Sequence, residues 1–539
     1  MRKQTKIAAL VSATALLALG ASITSFAAAR GTWMLVDGEW YCYDSNGDPY
    51  EDTFCVSNGK DYYVGEDGML VRSSWVEYDG DYYFVNSAGQ KITSDWRLTT
   101  PYDDEDAEEE WYYFQASGKM ATSKKIVYKG NTYFFDADGK MLTGWVTADG
   151  TDVVNEENSI NTSYTFYADE TGARVEGDWI LTVEPGIEED DADADYYWYY
   201  LLSSGKVATG KRNNIKGQTY FFNPEGQMLS GWVKGVTGTD GTEYSEIDGE
   251  TNAEPLAYEE NVSYYYCGGS DDGHAKKNKW VKLWRPEDTY EEDEDNDKFW
   301  YWIEKNGEVF VPEATETVGY KYQLTDGSLE QKTDQISVIK KKINSKDYFF
   351  NEAGEMLSQF IDVVHVADED KNDLSEGMYY FGGSDDGSMK TGSETVRDDN
   401  LDAFKFYFGT KNNDDTGERK GVGITGNKSN KLYYKGHLVA AQDYRYQPVI
   451  IGDYTFIVNS NGSIQHSKVE YKEDGDVLID AKTNADDIVY ATNNAWYKYG
   501  VKGGEGLEIH VDYLDPRDVM AVDGVYIPSG SDVASPSNN

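Results

Sequence analysis

The residue types that usually carry chemistry are present, but they are not arranged for it. The five histidines, His274, His365, His437, His466 and His510, are scattered, with no HExxH or other metal-ligand spacing. No G-x-S-x-G elbow and no G-x-x-x-x-G-K-[ST] loop occurs. Asp and Glu number 97, so a pair of carboxylates carries no information here. What does recur is a pair of aromatics. Trp33 with Trp40 and Trp75 with Tyr82 stand seven residues apart. Trp96/Trp111, Trp145/Tyr164, Trp179/Trp198, Trp232/Tyr264 and Trp280/Trp300 are wider versions of the same pair. Such rings either form a core or present their faces to a ligand.

The elements that position these pairs are β-hairpins. In Trp75–Gly89, Asp79-Gly80 is a two-residue turn signal, because both central positions of a type I′ turn need φ > 0. The aromatic strand Tyr82–Val85 follows, and Asn86–Gly89 is a second turn. Gly47, Gly68 and Gly89 repeat at 21 residues, as do Gly38, Gly59 and Gly80. Loop glycines continue at Gly118, Gly139, Gly172, Gly205, Gly226, Gly273, Gly307, Gly354 and Gly387, each after an aromatic strand. A lone hairpin cannot bury its aromatic face, whereas stacked hairpins can. The expected fold is all-β, a solenoid of stacked hairpins with roughly three per superhelical turn.

The hairpins come in two types. Trp-type units carry the aromatic pair. Plain units place Asp61, Thr132, Thr219 or Asp347 at the second position, and they fall at every third unit. Insertions are expected in the first turn of Trp-type units and not in plain ones. Trp96 to Trp111 spans 15 residues and Trp179 to Trp198 spans 19, against the basic seven. The inserted residues are acidic: Asp103–Glu110, Glu188–Asp195 and Glu291–Asp297. They read as solvated loop tips or as carboxylate clusters for Ca²⁺, without EF-hand spacing. Cys42 and Cys55 sit in neighbouring hairpins and either pair or stay as free buried thiols; with Cys267 they are too few for a disulfide framework.

The expected organisation is a secretory leader over 1–29, repeats over 30–391, degenerate repeats over 392–465, a cap or small β domain over 466–528, and a disordered tail over 529–539. Arg2, Lys3 and Lys6 precede an apolar run, Ile7–Leu19, and Ala27-Ala28-Ala29 offers a cleavage site. No later stretch is apolar enough to span a bilayer. The C-terminal residues show no sorting motif, so an exported protein without a covalent anchor is expected. Formal charge is −48, or −51 without the leader's three basic residues. That disfavours nucleic acid and anionic lipid as partners. After the repeats decay, only about 75–150 residues remain, marginal for a catalytic domain. A non-catalytic protein without cofactor or metal is expected.

Gly144-Trp145-Val146, the strand Trp111-Tyr112-Tyr113-Phe114, and turn glycines followed by Lys119-Met120, Lys140-Met141 and Gln227-Met228 resemble the cell-wall-binding repeats of Gram-positive surface proteins. That superfamily includes choline-binding and glucan-binding repeats, and the large clostridial toxins carry related ones. The resemblance covers Trp33–Thr391 and extends weakly to Gln465. It implies sites between consecutive hairpins, each a cage of the first-strand Trp, the aromatic opening the second strand, and an aromatic or Met from the next unit. Carried onto this chain, the candidates are the seven pairs above, with Met120, Met141 and Met228 as further walls. A quaternary ammonium cannot donate hydrogen bonds and is held by ring faces, at about 0.5–2 kcal/mol per interaction. The plain hairpins depart from an uninterrupted choline pattern and bring the chain nearer the glucan-binding and toxin branches. The implied function is a secreted surface protein binding choline-substituted teichoic acid or a related wall glycan. A glucan- or host-glycan-binding adhesin, toxin-like receptor-binding repeats and a non-binding spacer are the alternatives. An enzyme with appended repeats is disfavoured.

Overall fold

The type I′ turns form where the dipeptides call for them: Asp37 and Gly38 have φ of 52° and 94°, and Asp79 and Gly80 have 55° and 77°. In the computed structural model the described residues are 28–154, 165–187, 194–247, 255–286, 297–367, 373–414, 417–442, 444–451, 454–482, 488–490, 499–502, 508–509 and 520–521. Residues 1–27 of the leader, the terminal tail, Tyr164, most of the acidic insertions 188–195 and 291–297, and much of 466–528 lie outside them. The chain divides into two units, Met1–Thr209 with Pro224–Met228, and Gly210–Asn223 with Leu229–Asn539.

In the first unit the described strands form two-stranded antiparallel sheets, each one hairpin. They are β1 (Thr32–Val36) with β2 (Glu39–Tyr43), β3 (Thr53–Ser57) with β4 (Lys60–Val64), β5 (Ser74–Tyr78) with β6 (Asp81–Val85), and β7 (Asp95–Thr99) with β8 (Glu110–Phe114). Then follow β9 (Lys124–Tyr128) with β10 (Asn131–Phe135), β11 (Gly144–Val146) with β12 (Phe166–Ala168), and β13 (Asp178–Val183) with β14 (Tyr196–Leu201). Main-chain bonds tie each hairpin to the one before. The second residue after each of these loop glycines donates back to the opener of the preceding hairpin's second strand. Leu70 N donates to Trp40 O at 2.9 Å, Lys91 N to Asp61 O at 2.8 Å, Met120 N to Tyr82 O at 2.8 Å and Met141 N to Trp111 O at 2.9 Å. The core is a series of junctions: Phe84, Tyr112, Phe114 and Met120 close one, and Tyr113, Ala121 and Phe135 the next. Fully burying such a side chain stabilises by about 1.5–3 kcal/mol. The loop glycine is required by contact as well as by φ: a Cβ on Gly89 (φ 76°) would lie 2.7 Å from Leu70 Cδ1 and 2.9 Å from Val71 O.

The second unit begins with the hairpin β15 (Gly210–Ile215) and β16 (Gln218–Phe222). The insertion after Trp232 is partly folded, because β17 (Gly231–Gly238) pairs with both β18 (Gly241–Glu246) and β19 (Val262–Cys267). Next come β20 (Lys279–Leu283) with β21 (Phe299–Ile303). β22 (Val318–Thr325), β23 (Ser328–Gln331) and β24 (Ile336–Ser337) precede the plain hairpin β25 (Ile339–Ile343) and β26 (Lys346–Phe350). This segment corrects the expectation that insertions sit only in first turns of Trp-type units. It is an added sheet before a plain hairpin, and β22 pairs with β27 (Phe360–His365), which pairs with β28 (Gly377–Tyr380). Beyond it, Gly392–Arg397 and Ala403–Phe408 start a five-stranded sheet. Tyr446–Ile451 and Tyr454–Asn459 share a six-stranded sheet with Ile488–Tyr490, Tyr499–Lys502 and Met520–Ala521, so one sheet draws strands from both sides of residue 465.

Candidate aromatic binding sites

Register decides which rings share a junction. Trp33 pairs with Cys42, Trp75 with Phe84, Trp96 with Tyr113, Trp179 with Tyr200, Trp232 with Tyr266 and Trp280 with Trp302. The residue two before each of those partners opens the second strand, giving Trp40, Tyr82, Trp111, Trp198, Tyr264 and Trp300 as expected from sequence. Trp145 pairs with Tyr167, which places Thr165, not Tyr164, at that position. Val207 N donates to Thr165 O, the bond every opener accepts. A slip of one residue reverses the face of a strand, and the insertion after Trp145 hides that count in the sequence.

Two kinds of junction result. Where a Trp-type hairpin is followed by another, the first Trp is covered. Trp75 Nε1 donates to Thr100 O at 2.8 Å, Trp145 Nε1 to Val183 O at 2.9 Å, and Trp232 Nε1 to Trp284 O at 3.2 Å. Thr100, Val183 and Trp284 each lie four residues after the next unit's Trp, where the chain leaves its first strand for an insertion. Trp145 is 5% exposed and Trp232 2%, and Tyr264 is buried with Trp232 in one cluster. These three residues are buried beneath the next hairpin. At Trp75 the cover includes a ring. Tyr102 stacks on Tyr82 at 3.9 Å and 25° and meets Trp75 edge-on at 6.0 Å, filling the place between the pair.

Before the plain hairpins β3–β4 and β9–β10 the opener stays exposed, although Trp33 Nε1 donates to Val56 O at 3.4 Å. Trp33 and Trp40, with Tyr62, Leu70 and Arg72, line a cavity of about 360 Å³. Tyr62 meets Trp33 edge-on at 5.7 Å, and Trp40 is 40% exposed. On the rim Arg72 Nη1 lies 3.1 Å from Glu39 Oε2. Trp96 meets Trp111 at 6.4 Å and 84°, and Tyr133 of the plain hairpin at 4.9 Å; Trp111 is 37% exposed. Trp179 and Trp198 repeat that geometry at 6.3 Å and 87°, and Met228 N donates to Trp198 O at 2.8 Å. Trp280 lies 4.9 Å from Tyr348 and parallel to Phe350 at 5.8 Å. There Trp300 Nε1 donates to Asp385 Oδ1 at 3.0 Å and Lys282 Nζ stands 2.6 Å from the same oxygen. The hydrogen bond from Lys282, then that from Trp300, holds the Asp385 carboxyl below the usual carboxylate range.

The third walls, Tyr62, Tyr133 and Tyr348, were missed from sequence, although each directly follows the polar marker of a plain hairpin: Asp61, Thr132, Asp347. Arg72, Tyr102 and Asp385 had no sequence signal. Of the methionines, Met141 and Met228 bond the openers of open pairs, whereas Met120 is buried beside Tyr112 at the covered one. Cys42 and Cys55 are free and fully buried. Among the described residues no group of three or more His, Cys, Asp or Glu could hold a metal ion. The open walls offer ring faces and edges, which can take a cation or stack on a sugar ring.

Comparison with known proteins follows the same residues. The profile of the choline-binding repeat matches residues 105–144, which span Trp111, Tyr133 and Met141. Over 198 residues the chain is 27% identical to glucosyltransferase-S of Streptococcus mutans, covering 36% of this chain and 11% of that protein. Over 117 residues it is 26% identical to a putative endo-β-N-acetylglucosaminidase of Streptococcus pneumoniae, covering 20% of this chain and 16% of that protein. The chain thus spans well under a fifth of either relative. Among solved structures, the choline-binding domain of CbpL from Streptococcus pneumoniae aligns at 23% identity over 45% of this chain and 96% of that one, with a TM-score of 0.27. Choline binding protein F from the same species aligns at 18% identity over 76% and 98%, with a TM-score of 0.26. Residues 105–144 thus match a choline-binding repeat, and the likeness to a glucosyltransferase extends over 198 residues of the chain.

Proposed function

We propose that this is a secreted, non-catalytic surface protein that holds a cell-wall polymer through the aromatic pairs facing plain hairpins. The observation that carries the reading is the difference in exposure: the openers Trp40 and Trp111, before plain hairpins, are 40% and 37% exposed, whereas Trp145 and Trp232, before Trp-type hairpins, are 5% and 2% exposed. A core aromatic would not need that distinction. The ligand is a quaternary ammonium of the choline type borne on a wall polymer, and attachment to the wall is non-covalent. Each site is weak by itself, and several on one chain gain avidity of about 10²–10⁴ against a polymer. The enzymatic relatives match over a small part of their length, which supports a shared binding module rather than a shared reaction.

Arg72 on the rim of the first cavity favours a second reading for that site, stacking on the ring of a glucan, since a guanidinium repels a trimethylammonium group. The test is retention on a choline-type anion exchanger and on cross-linked dextran. Free choline should elute the parent from the first. Alanine at Trp40, Trp111, Trp198 and Trp300 together should abolish retention while circular dichroism stays unchanged. A folded quadruple variant that binds whole cells like the parent would show that these rings serve the core alone.

A further inference from the structure

In a chain of net charge −48, three consecutive lysines, Lys340-Lys341-Lys342, fill the middle of β25. Beside them runs a groove of about 530 Å³ whose lining includes Asn278, Trp302, Lys305, Asn306, Lys342 and Asn344. Two features set it apart from a solvated basic strand. First, cations converge on one turn, Glu304–Gly307, from separate elements. Lys341 Nζ is 2.7 Å from Glu304 and 3.9 Å from the centre of the Phe310 ring. Lys211 Nζ donates to Asn306 O at 3.5 Å, and the Lys277 stem lies where a Cβ on Gly307 would meet its Cγ at 3.5 Å. Glu304 and Glu308 answer only part of this charge. Lys305 and Lys342 have no ion-pair partner among the described residues. Second, the cations crowd one another. Burial, with the like charge of Lys277, lowers the Lys211 pKa against the pull of Glu308.

We infer that this groove is a second binding site, separate from the aromatic pairs, for an anionic group carried on a polymer: the phosphodiester or the carboxylate of an acidic glycan. The carboxamides of Asn278 and Asn344 can donate to its oxygens, Lys305 and Lys342 supply the charge, and Trp302 and Ile343 form an apolar floor. A local excess of lysine attracts such a ligand although the protein as a whole repels it.

The test titrates the whole chain with linear inorganic polyphosphate and with polygalacturonate at 25–300 mM NaCl, using neutral dextran as the uncharged control. Polyphosphate binding alone points to a phosphodiester source, polygalacturonate binding alone to a carboxylate source, and either supports the site. The affinity should fall as salt rises, as displaced counterions require. Lys305→Glu with Lys342→Glu should weaken binding by about tenfold or more, and the milder Lys305→Gln with Lys342→Gln by less. Trp111→Ala should leave it unchanged, so loss of the aromatic sites is distinguishable from loss of this one. No binding of either polyanion at 25 mM NaCl, or equal binding by the folded charge-reversed variant, overturns the inference.

Discussion

Tyr102→Ala should unmask a ligand site at Trp75 and Tyr82. The perturbation removes a ring that stacks on Tyr82 at 3.9 Å and closes over Trp75 at 6.0 Å, while Trp75 keeps its bond to Thr100 O. The lost stack is worth about 0.5–1.5 kcal/mol. Half-burial of the ring adds about 1 kcal/mol. The variant should therefore be destabilised by about 2 kcal/mol, a fall in Tm of roughly 4–8 °C for a unit of this size. In exchange, Trp75, Tyr82 and the Tyr112 edge 4.8 Å from Trp75 form the three-walled arrangement of the open junctions. Calorimetric titration with choline should give one more site per chain than the parent, with tryptophan fluorescence changing in step. A variant that is folded, destabilised as calculated, and unchanged in stoichiometry would refute the idea that cover alone separates the two kinds of junction.

Trp232→Ala should cost about 3–5 kcal/mol and leave choline stoichiometry unchanged, because that ring is core; a drop in stoichiometry without a drop in Tm would contradict its burial. Burial pushes His437 down to about 4, where it stacks on Phe406 at 4.7 Å. The unfolded chain takes up that proton near 6.5, so stability is complete above pH 6.5 and falls as pH drops toward 4, by about 1–3 kcal/mol. His437→Phe should flatten that part of the urea-midpoint profile, and an unchanged slope would count against it. Burial also raises Cys55 far above a normal thiol and Cys267 to about 12. A thiol reagent at pH 8 should thus find nothing in the native protein and three thiols after denaturation. Oxidative refolding should join Cys42 to Cys55, whose thiols are hydrogen-bonded, and raise stability by about 3 kcal/mol; refolded protein with all three thiols free would exclude the bridge.

Hairpins were legible because their cues are local. Asp79-Gly80 announces a turn within two residues, and Tyr82–Val85 announces an aromatic strand. The alternation of Trp-type and plain units was legible for the same reason. Which tryptophans stay open was not, because that property of Trp75 or Trp96 is decided by the length of the next hairpin's turn. Counting failed at Thr165 and Tyr164 because an insertion of unknown path precedes the strand. The sheet β22–β24 was missed because it falls between repeats and obeys no ruler. Tyr62 and Tyr133 carry no pairing signal in the sequence, because each stands in a plain hairpin and meets the Trp of the hairpin before it only through stacking.

The cover over Trp75, Trp145 and Trp232 is supplied by the downstream repeat, at the point where it departs for its insertion. On the proposed function, valence in such a chain is written in loop lengths rather than in aromatic residues. Adding a few residues to a plain hairpin's turn would silence the site upstream of it, and trimming one would expose a dormant pair, with the stacked rings beneath left as they were. Gain and loss of binding units by insertion and deletion then becomes the easy route of change, and point substitution the hard one. Tryptophan content alone would overstate how many ligands a relative of this chain can hold.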